Sequence, residues 1–268
     1  MWGALIELPE KAGFPPTLGY TVWALTMVPC AIAVLRANGW RRERDGRAWA
    51  SGLFIGLTGA GGQLLLFEAL RTGPAYLVFP IVSLYPVLTI GLSVAWLAER
   101  AGRRQWIGIG LALPAIALLS YAPPTESPTG AASWLLLAAV VFVAWGLQAV
   151  ALKRAGAYMS AEGIFFYMSL AGLLLVPLAL VQTDFARPIE WGWRGPWLAG
   201  LIHLLNSIGA LALVYALRYG KAIVVVPMTA LAPVVTIVLS LALYQRMPLL
   251  PQVLGIVLAT AALYLMAE

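Results

Sequence analysis

Charged residues and cysteine are scarce in this chain. Only 10% of its 268 residues are charged and 62% are hydrophobic, against roughly 25% and 45–50% in an average soluble domain. Because so few charges cannot cover a water-facing surface, lipid is the expected solvent for most of it. The chain has one cysteine, Cys30, and one histidine, His203, which excludes an intrachain disulfide and a metal site built from His and Cys.

The positive charge and the glycines do not indicate nucleic acid or a nucleotide cofactor. The net charge of +6 comes from basic residues scattered between apolar runs, as in the cytoplasmic loops of membrane proteins. The glycines between Ser51 and Gly62 lie in an apolar run with no preceding strand, so they fit close helix packing better than a phosphate-binding loop. We therefore expect no cofactor and no nucleic-acid partner.

Nine apolar stretches are long enough for membrane-spanning helices, which need about 20 residues each. They cover residues 17–36, 49–70, 74–98, 105–122, 133–152, 160–181, 197–217, 222–244 and 248–267. Residues 2–12 resemble the end of a further helix, so the stretches are numbered here as predicted spans 2 to 10. The predicted fold is an all-α integral membrane bundle of ten helices.

The sequence contains an internal duplication. Residues 69–90 (ALRTGPAYLVFPIVSLYPVLTI) and 216–237 (ALRYGKAIVVVPMTALAPVVTI) are identical at 12 of 22 positions, at a constant offset of 147. The same offset pairs Gln105 with Gln252 and Gly108 with Gly255, and chance apolar similarity would not keep Pro, Gly and Arg in register. We predict a first five-helix repeat at 1–122, a linker at 123–132 and a second repeat at 133–268.

The first predicted span is shorter than its counterpart. Twelve residues, Ser133 to Ala144, precede Trp145 in the second repeat, whereas only Met1 precedes the matching Trp2. We therefore expect that residues 2–12 are the end of a first helix whose opening half is missing. We expect the native product to begin upstream of Met1, or this form to be less stable for lacking that segment.

Basic residues predict the orientation in the membrane. Twelve of the 17 Lys and Arg residues follow even-numbered spans, and five follow odd-numbered ones. Because basic loops stay in the cytoplasm, we expect residues 36–48 to be cytoplasmic and residues 123–132 and 182–196 to face outward. Both termini are then cytoplasmic, and five spans per repeat make the second repeat inverted. The expected location is the bacterial inner membrane.

At the matched segments the chain resembles the drug/metabolite transporter superfamily, in its EamA-like branch. The resemblance is carried by the two repeats, by the opening Trp-Gly, by the AL-x-x-G…P…P-x-x-T stretch, and by LAER at Leu97–Arg100 followed by QWIGIGLAL from Gln105. It implies ten helices around a central cavity, lined mainly by spans 1, 3, 4, 6, 8 and 9, and movement of small organic solutes, often outward. The family usually has a Glu at the end of spans 4 and 9. Glu99 matches the first, but Arg246 occupies the second position.

Paired prolines are candidate hinges. Pro80 and Pro227 lie early in spans 4 and 9, and Pro86 and Pro233 lie near their centres. Proline removes a helical hydrogen bond, and inverted-repeat transporters commonly bind substrate where helices are broken near the bilayer midplane. We expect hinges beside the cavity, with kinks that only shape packing as the alternative.

Polar side chains inside the predicted spans are candidate cavity residues, because such groups are costly in lipid and usually face a cavity or a partner. His203 and Asn206 share a face of span 8, and Gln148 lies in span 6. We expect these three to line the central cavity between the halves. His203 is also a candidate proton carrier, with a satisfied interhelical histidine as the alternative.

Further candidates lie nearer the helix ends. Gln63 and Tyr85 are predicted to contact substrate, and Glu7 and Glu68 to serve as gating or coupling carboxylates. The alternatives are an ion pair of Glu68 with Arg71, neutralisation of Glu7 by Lys11 at i+4, and simple packing of the tyrosine.

The predicted function is secondary transport by alternating access, in which the two halves rock about a central site. The solute would be an amino acid, a related metabolite or a drug-like compound, with protons as the candidate coupling ion, because no nucleotide motif is present. The alternatives are a lipid-modifying enzyme, disfavoured by the single histidine and the lack of clustered carboxylates, and an assembly scaffold. A monomer or a homodimer in the lipid bilayer is expected.

Overall fold

The helices follow the ten predicted spans. The structure, a computed structural model, describes residues 5, 7–73, 75–119, 121, 133–232, 234–235, 238 and 248–267, and within them it is helical with no strand. The first six helices are α1 (Glu7–Lys11), α2 (Pro16–Ala37), α3 (Gly46–Thr72), α4 (Ala75–Ser83), α5 (Tyr85–Trp96) and α6 (Arg103–Leu119). The next six are α7 (Ser133–Ala155), α8 (Ala161–Leu174), α9 (Val176–Val181), α10 (Leu198–Tyr219), α11 (Ala222–Ala230) and α12 (Leu250–Ala267).

Two predicted spans consist of two helices each. Span 4 is formed by α4 and α5, and span 7 by α8 and α9, while an irregular turn at Trp193–Trp197, with a non-helical backbone at Gly195, leads into α10. Six helical stretches in the described residues are long and apolar enough to cross a membrane: Pro16–Ala37, Gly46–Thr72, Leu77–Trp96, Ser133–Ala155, Ala161–Val181 and Trp193–Tyr219. The prediction of an all-α bundle of ten membrane helices is confirmed. The linker at 123–132 lies outside the described residues.

Local sequence explains where several helices begin and end. Pro16 occupies the first turn of α2, where the missing N–H costs nothing. After α2, Gly39 adopts φ +64°, and the Trp40 amide donates to the Leu35 carbonyl at 2.6 Å, which closes the helix end. Ser160 precedes α8, and its side chain accepts a hydrogen bond from the Gly163 amide at 3.1 Å, as an N-cap does.

The chain divides into two compact units. Unit 1 comprises Met1–Phe67 and Ala151–Tyr219, and unit 2 comprises Glu68–Val150 and Gly220–Glu268. Each unit therefore contains segments of both predicted repeats. The repeat boundaries themselves stay a prediction from the sequence.

Glycines hold α3 against α8 in unit 1. A Cβ atom on Gly52 would lie 2.5 Å from the Tyr167 Cβ atom, and one on Gly56 would lie 3.0 Å from the Tyr167 carbonyl oxygen. The two backbones thus approach more closely than any larger residue would allow, as small residues permit in membrane helices. The assignment of these two glycines to helix packing is confirmed.

Glycines also join α6 and α12 in unit 2. A Cβ atom on Gly108 would lie 2.7 Å from the Met266 Cγ atom, and one on Gly255 would lie 3.0 Å from the Leu119 Cγ atom. Gly108 and Gly255 lie in the second turn of their helices, whereas Leu119 and Met266 lie in the last turn. The two helices are therefore antiparallel. At the offset of 147, Gly108 is the repeat counterpart of Gly255, and Leu119 is that of Met266. The contact is therefore reciprocal, because the glycine of each helix packs against the equivalent residue of the other helix.

Candidate functional site

The fourth predicted span is interrupted at Leu84 in unit 2. Helix α4 ends at Ser83 and α5 begins at Tyr85. At the break, the Leu84 amide donates to the Ile81 carbonyl at 3.3 Å and the Val87 amide donates to the Leu84 carbonyl at 2.9 Å. In both bonds the amide donates to the carbonyl three residues earlier, and not four as in an α-helix. The α-helical pattern is lost here because Pro86 has no N–H with which to bond the preceding turn.

The ninth predicted span is interrupted at the matching position. Helix α11 ends at Ala230. The Leu231 amide then donates to the Met228 carbonyl at 3.2 Å, and the Val234 amide donates to the Leu231 carbonyl at 3.0 Å. Leu231 is the repeat counterpart of Leu84, and both bonds have counterparts at the first break. The structure thus breaks both spans at the same repeat position, two residues before Pro86 in one and Pro233 in the other.

The outcome differs among the four predicted hinge prolines. Pro86 lies at the start of α5, directly after the break, and is buried; its predicted role as a hinge beside the cavity stays a prediction. Pro227 lies buried inside α11, and Pro80 lies within α4, so neither interrupts a helix. Pro233 lies outside the described residues. Movement at any of the four stays a prediction.

Aromatic and polar groups of α7 lie beside the first break. The rings of Tyr85 and Trp145 meet edge to face, with centroids 5.9 Å apart. The Thr89 hydroxyl, one turn into α5, donates to the Gly146 carbonyl at 3.2 Å. Gln148, one turn beyond Trp145, is half-buried. The structure therefore brings predicted residues Tyr85 and Gln148 into the same unit, on helices that are in contact.

A small recess of about 50 Å³ lies in unit 1, between the start of α2 and the start of α10. It is mostly apolar, with one carboxylate and one imidazole in its wall. Its lining residues are Pro9, Glu10, Phe14, Pro15, Pro16, Gly19, Phe67, Ala199 and His203. Predicted site residue His203 thus lines a recess, and its side chain has room because Gly19 faces it.

The residues of α10 near His203 divide between buried and half-buried positions. His203 is 5% exposed and Ser207, one turn on, is fully buried. The Ser207 hydroxyl shares a hydrogen bond of 3.0 Å with the Thr26 hydroxyl of α2. Predicted residue Asn206 is half-buried. His203 and Asn206 lie in unit 1 and Gln148 lies in unit 2; that the three line one cavity stays a prediction.

Comparison with known proteins identifies the family. The sequence profile of the EamA-like transporter family matches residues 1–121 and residues 132–267. The chain belongs to the EamA-like transporter family. It is therefore an integral membrane protein of a transporter family, as the resemblance in its sequence predicted.

The chain is also similar to two relatives and to one solved structure. The chain is 26% identical over 251 residues to Protein RarD of Streptomyces exfoliatus, covering 86% of this chain and 71% of that protein. It is 42% identical over 64 residues to uncharacterized protein MJ1333.1 of Methanocaldococcus jannaschii, covering 24% of this chain and 47% of that protein. A protein of known crystal structure shares the fold with a TM-score of 0.77 at 20% identity, over 99% of this chain and 92% of its own.

Glu99, the acidic residue of the EamA-like pattern, caps a helix. Its two carboxylate oxygens accept hydrogen bonds from the Ala222 amide at 3.0 Å and the Ile223 amide at 2.9 Å. A carboxylate in this position accepts hydrogen bonds from two amides that have no partner within the helix, and its negative charge is stabilised by the positive end of the helix dipole. Glu99 therefore fixes the start of α11, the helix that leads to the second break. The counterpart position, Arg246, lies outside the described residues.

The remaining predicted residues, Glu7, Gln63 and Glu68, are not among the residues that line the recess. The Glu68 carboxylate forms a two-pronged ion pair with Arg71, at 2.6 and 2.8 Å, which matches the alternative given for it. Gln63 is half-buried in α3, and Glu7 begins α1. Roles for these residues in gating or binding stay predictions. Among the described residues, no three His, Cys, Asp or Glu side chains are grouped as a metal site requires.

Sequence reasoning missed the capping role of Glu99 and a second acidic cap formed by Glu43. Both carboxylates bind backbone amides more than 100 positions away in the chain. No local pattern predicts such a partner. The only feature of the sequence that singles out Glu43 is the repeat, in which the offset of 147 aligns Glu43 with Glu190.

Proposed function

We propose that this EamA-like family member is a secondary transporter that moves a small organic solute across the bacterial inner membrane by alternating access. The solute class is an amino acid, a related metabolite or a drug-like compound, and the direction is outward. Protons are the proposed coupling ion, with the lipid bilayer as the surrounding partner and a monomer or homodimer as the working form.

The paired breaks at Leu84 and Leu231 carry this proposal. A broken helix leaves backbone groups without their helical partners, and at membrane depth such groups are tolerated only in protein or beside a water-filled cavity. Interrupted helices at corresponding positions of two repeats are the pattern expected for a substrate site at the midplane. Tyr85, Thr89 and Gln148 supply an aromatic face and polar groups beside one break.

The reciprocal contact of α6 with α12 supports an inverted arrangement of the repeats. Two equivalent helices that meet through equivalent residues, and run in opposite directions, are related by a two-fold axis across them. In inverted-repeat transporters the two repeats are related by a two-fold axis of this kind, which lies in the membrane plane. The separate match of the family profile to each half of the chain agrees with the duplication.

The recess in unit 1 supplies a second candidate contact for the solute. His203 and Glu10 are the titratable groups in an otherwise apolar wall, and an apolar site with few polar groups is typical of small-molecule pockets. We assign His203 to substrate contact or proton transfer there, and Asn206 and Gln63 to the solute path. Both termini are placed in the cytoplasm on the basis of the basic loops.

Transport into liposomes tests the proposal. Purified protein is reconstituted and offered a mixture of radiolabelled amino acids and a fluorescent drug-like dye, with and without a proton gradient. The wild type should move at least one solute faster than empty liposomes, and Gln148→Leu or Asn206→Leu should abolish that movement while the protein stays folded. Thr260→Leu is the matched control, because Thr260 is exposed on α12 and bonds only its own helix.

The same liposome assay distinguishes the proposed transporter from a lipid-modifying enzyme and from an assembly scaffold. Unchanged transport in both Leu variants would refute the assignment of these residues. No movement of any solute, together with release of a modified lipid from the liposomes, would favour a lipid-modifying enzyme. Inactivity in every assay would favour an assembly scaffold.

A further inference from the structure

Five arginines lie in the segment 36–47, which joins α2 to α3 in unit 1, and the structure divides them into two groups. The guanidinium groups of Arg42 and Arg47 lie over aromatic rings, 4.1 Å from the Phe166 centroid and 3.7 Å from the Tyr158 centroid. The other three are exposed, and within the described residues no hydrogen bond or ion pair engages their guanidinium groups: Arg36, Arg41 and Arg44. These three arginines are therefore available to an anion outside the protein.

The two carboxylates of the same segment do not neutralise the exposed arginines. The Glu43 carboxylate accepts hydrogen bonds from the Ser160 amide at 3.0 Å and from the Ser160 hydroxyl at 3.1 Å, so it is engaged at the start of α8. Asp45 is exposed and forms no ion pair within the part of the chain that the structure describes. Five arginines and two carboxylates give the segment a net charge of +3.

Hydrogen bonds hold the backbone of this segment in place. The Tyr167 hydroxyl of α8 donates to the Glu43 carbonyl at 2.8 Å. The Asn38 side-chain amide donates to the Arg41 carbonyl at 3.3 Å and to the Glu162 carboxylate at 3.4 Å. Because the backbone is already ordered, a ligand of the exposed arginines would not have to order it, and a smaller ordering cost favours binding.

Two exposed indoles flank the arginines. Trp40 is 57% exposed and adopts φ +59°, a left-handed conformation that is rare for a bulky residue. Its amide donates to the Leu35 carbonyl at 2.6 Å, which fixes this conformation at the end of α2. Trp49, in the first turn of α3, is 40% exposed. Tryptophan is enriched where lipid hydrocarbon meets water, because its ring is apolar and its N–H is polar.

The position of the segment determines which anions it can meet. It joins the ends of Pro16–Ala37 and Gly46–Thr72, two helical stretches that are long and apolar enough to cross a membrane. A connection between two such ends lies at the level of the lipid headgroups. Phospholipid phosphates are the anions at that level, and a guanidinium group binds phosphate oxygens in a two-pronged geometry.

We propose that this surface binds the headgroup of an anionic phospholipid. The loop surface consists of Arg36, Trp40, Arg41, Arg44 and Trp49. The arginines hold the phosphate, and the two indoles lie beside the glycerol and the first carbons of the acyl chains. Membrane-adjacent clusters of basic residues are a known form of lipid recognition. The inference requires only that the chain is an integral membrane protein, so it is independent of the transport activity.

A role in membrane insertion alone is the competing explanation for the arginines. Basic residues near the ends of spans set the orientation of the chain through their charge, without binding a particular lipid. That role requires neither an ordered loop backbone nor an exposed indole in a left-handed conformation. An experiment on the folded protein in detergent separates the two explanations, because insertion is already complete there.

Native mass spectrometry of the purified full-length chain measures lipid binding. The protein is titrated with phosphatidylglycerol, which is anionic, or with phosphatidylcholine of the same acyl chains, which is zwitterionic. The test variants are Arg41→Gln with Arg44→Gln, and Trp40→Gly, in which glycine suits the left-handed backbone. The matched control is Arg187→Gln with Arg194→Gln, which removes two exposed arginines from the segment before α10. Thermal unfolding confirms that each variant is folded.

The wild type should bind phosphatidylglycerol about tenfold or more tightly than phosphatidylcholine. The double arginine variant should lose about tenfold or more in affinity for phosphatidylglycerol, Trp40→Gly should bind both lipids more weakly, and the matched control should behave as the wild type. Equal binding of the two lipids would overturn the inference, as would an equal loss in the matched control. Displacement of phosphatidylglycerol by an equal concentration of inorganic phosphate would show a site for free anions and would also overturn it.

Discussion

Gly108 in α6 packs against Met266 in α12 so closely that a Cβ atom on the glycine would lie 2.7 Å from the Met266 Cγ atom. The contact is possible only because glycine has no side chain. It recurs between Gly255 and Leu119, so the helix pair depends on two small residues related by the repeat.

Gly108→Ala should therefore destabilise the protein. The added methyl group must displace α12 or distort its side chains, at a cost of about 1–3 kcal/mol. Unfolding in detergent with increasing denaturant measures the loss. Gly110→Ala is the control, because a Cβ atom there meets nothing within 4 Å, and alanine favours a helix over glycine by about 1 kcal/mol. Equal stability of the two variants would contradict the close packing.

Pro86→Ala should straighten the fourth span. Alanine restores the missing N–H, and a proline in a helix interior costs about 3 kcal/mol relative to alanine. The substitution therefore stabilises the conformation in which the fourth span is one continuous helix. We expect a folded protein of equal or higher stability whose solute flux falls by about tenfold or more. Pro114→Ala is the control, since Pro114 lies inside α6 without interrupting it. Normal flux in the Pro86 variant would show that the break has no part in transport.

Glu99→Gln should weaken the start of α11. The amide keeps the size of the side chain but loses the charge that favours two helix amides, and the expected loss is about 1–2 kcal/mol. Thermal unfolding compares this variant with Asp184→Asn, whose exposed carboxylate pairs with Arg187 and accepts the Ala186 amide of its own loop and should contribute little. A Glu99 variant as stable as the control would contradict the capping role.

Hydropathy predicted nine of the ten spans because lipid requires long apolar helices, and that requirement is visible in any single stretch of sequence; the first span was predicted only by comparing the two repeats. The break beside Pro86 was also predictable, since proline acts locally. The caps made by Glu43 and Glu99 were not, because each carboxylate meets amides supplied by a distant segment, and composition does not reveal which segments meet. Likewise, nothing in the sequence showed that His203 would line a recess opposite Gly19.

The orientation of the loops can be checked with the exposed residues Arg44 and Asp184. In a Cys30→Ala background, Asp184→Cys should react with an impermeant thiol reagent in intact cells, whereas Arg44→Cys should react only after the membrane is opened. The reason is the concentration of basic residues after even-numbered spans. Strong labelling of Arg44→Cys in sealed cells would reverse the proposed topology.

Counterflow tests the claim of alternating access most directly. Liposomes containing the protein are loaded with an excess of the unlabelled solute identified in the transport screen and are then diluted into a trace of the same solute in labelled form. A carrier that alternates between two sides should accumulate the label transiently above its outside concentration, and the Pro86→Ala variant should not. Simple equilibration of the label, without that overshoot, would indicate a channel and would contradict the account.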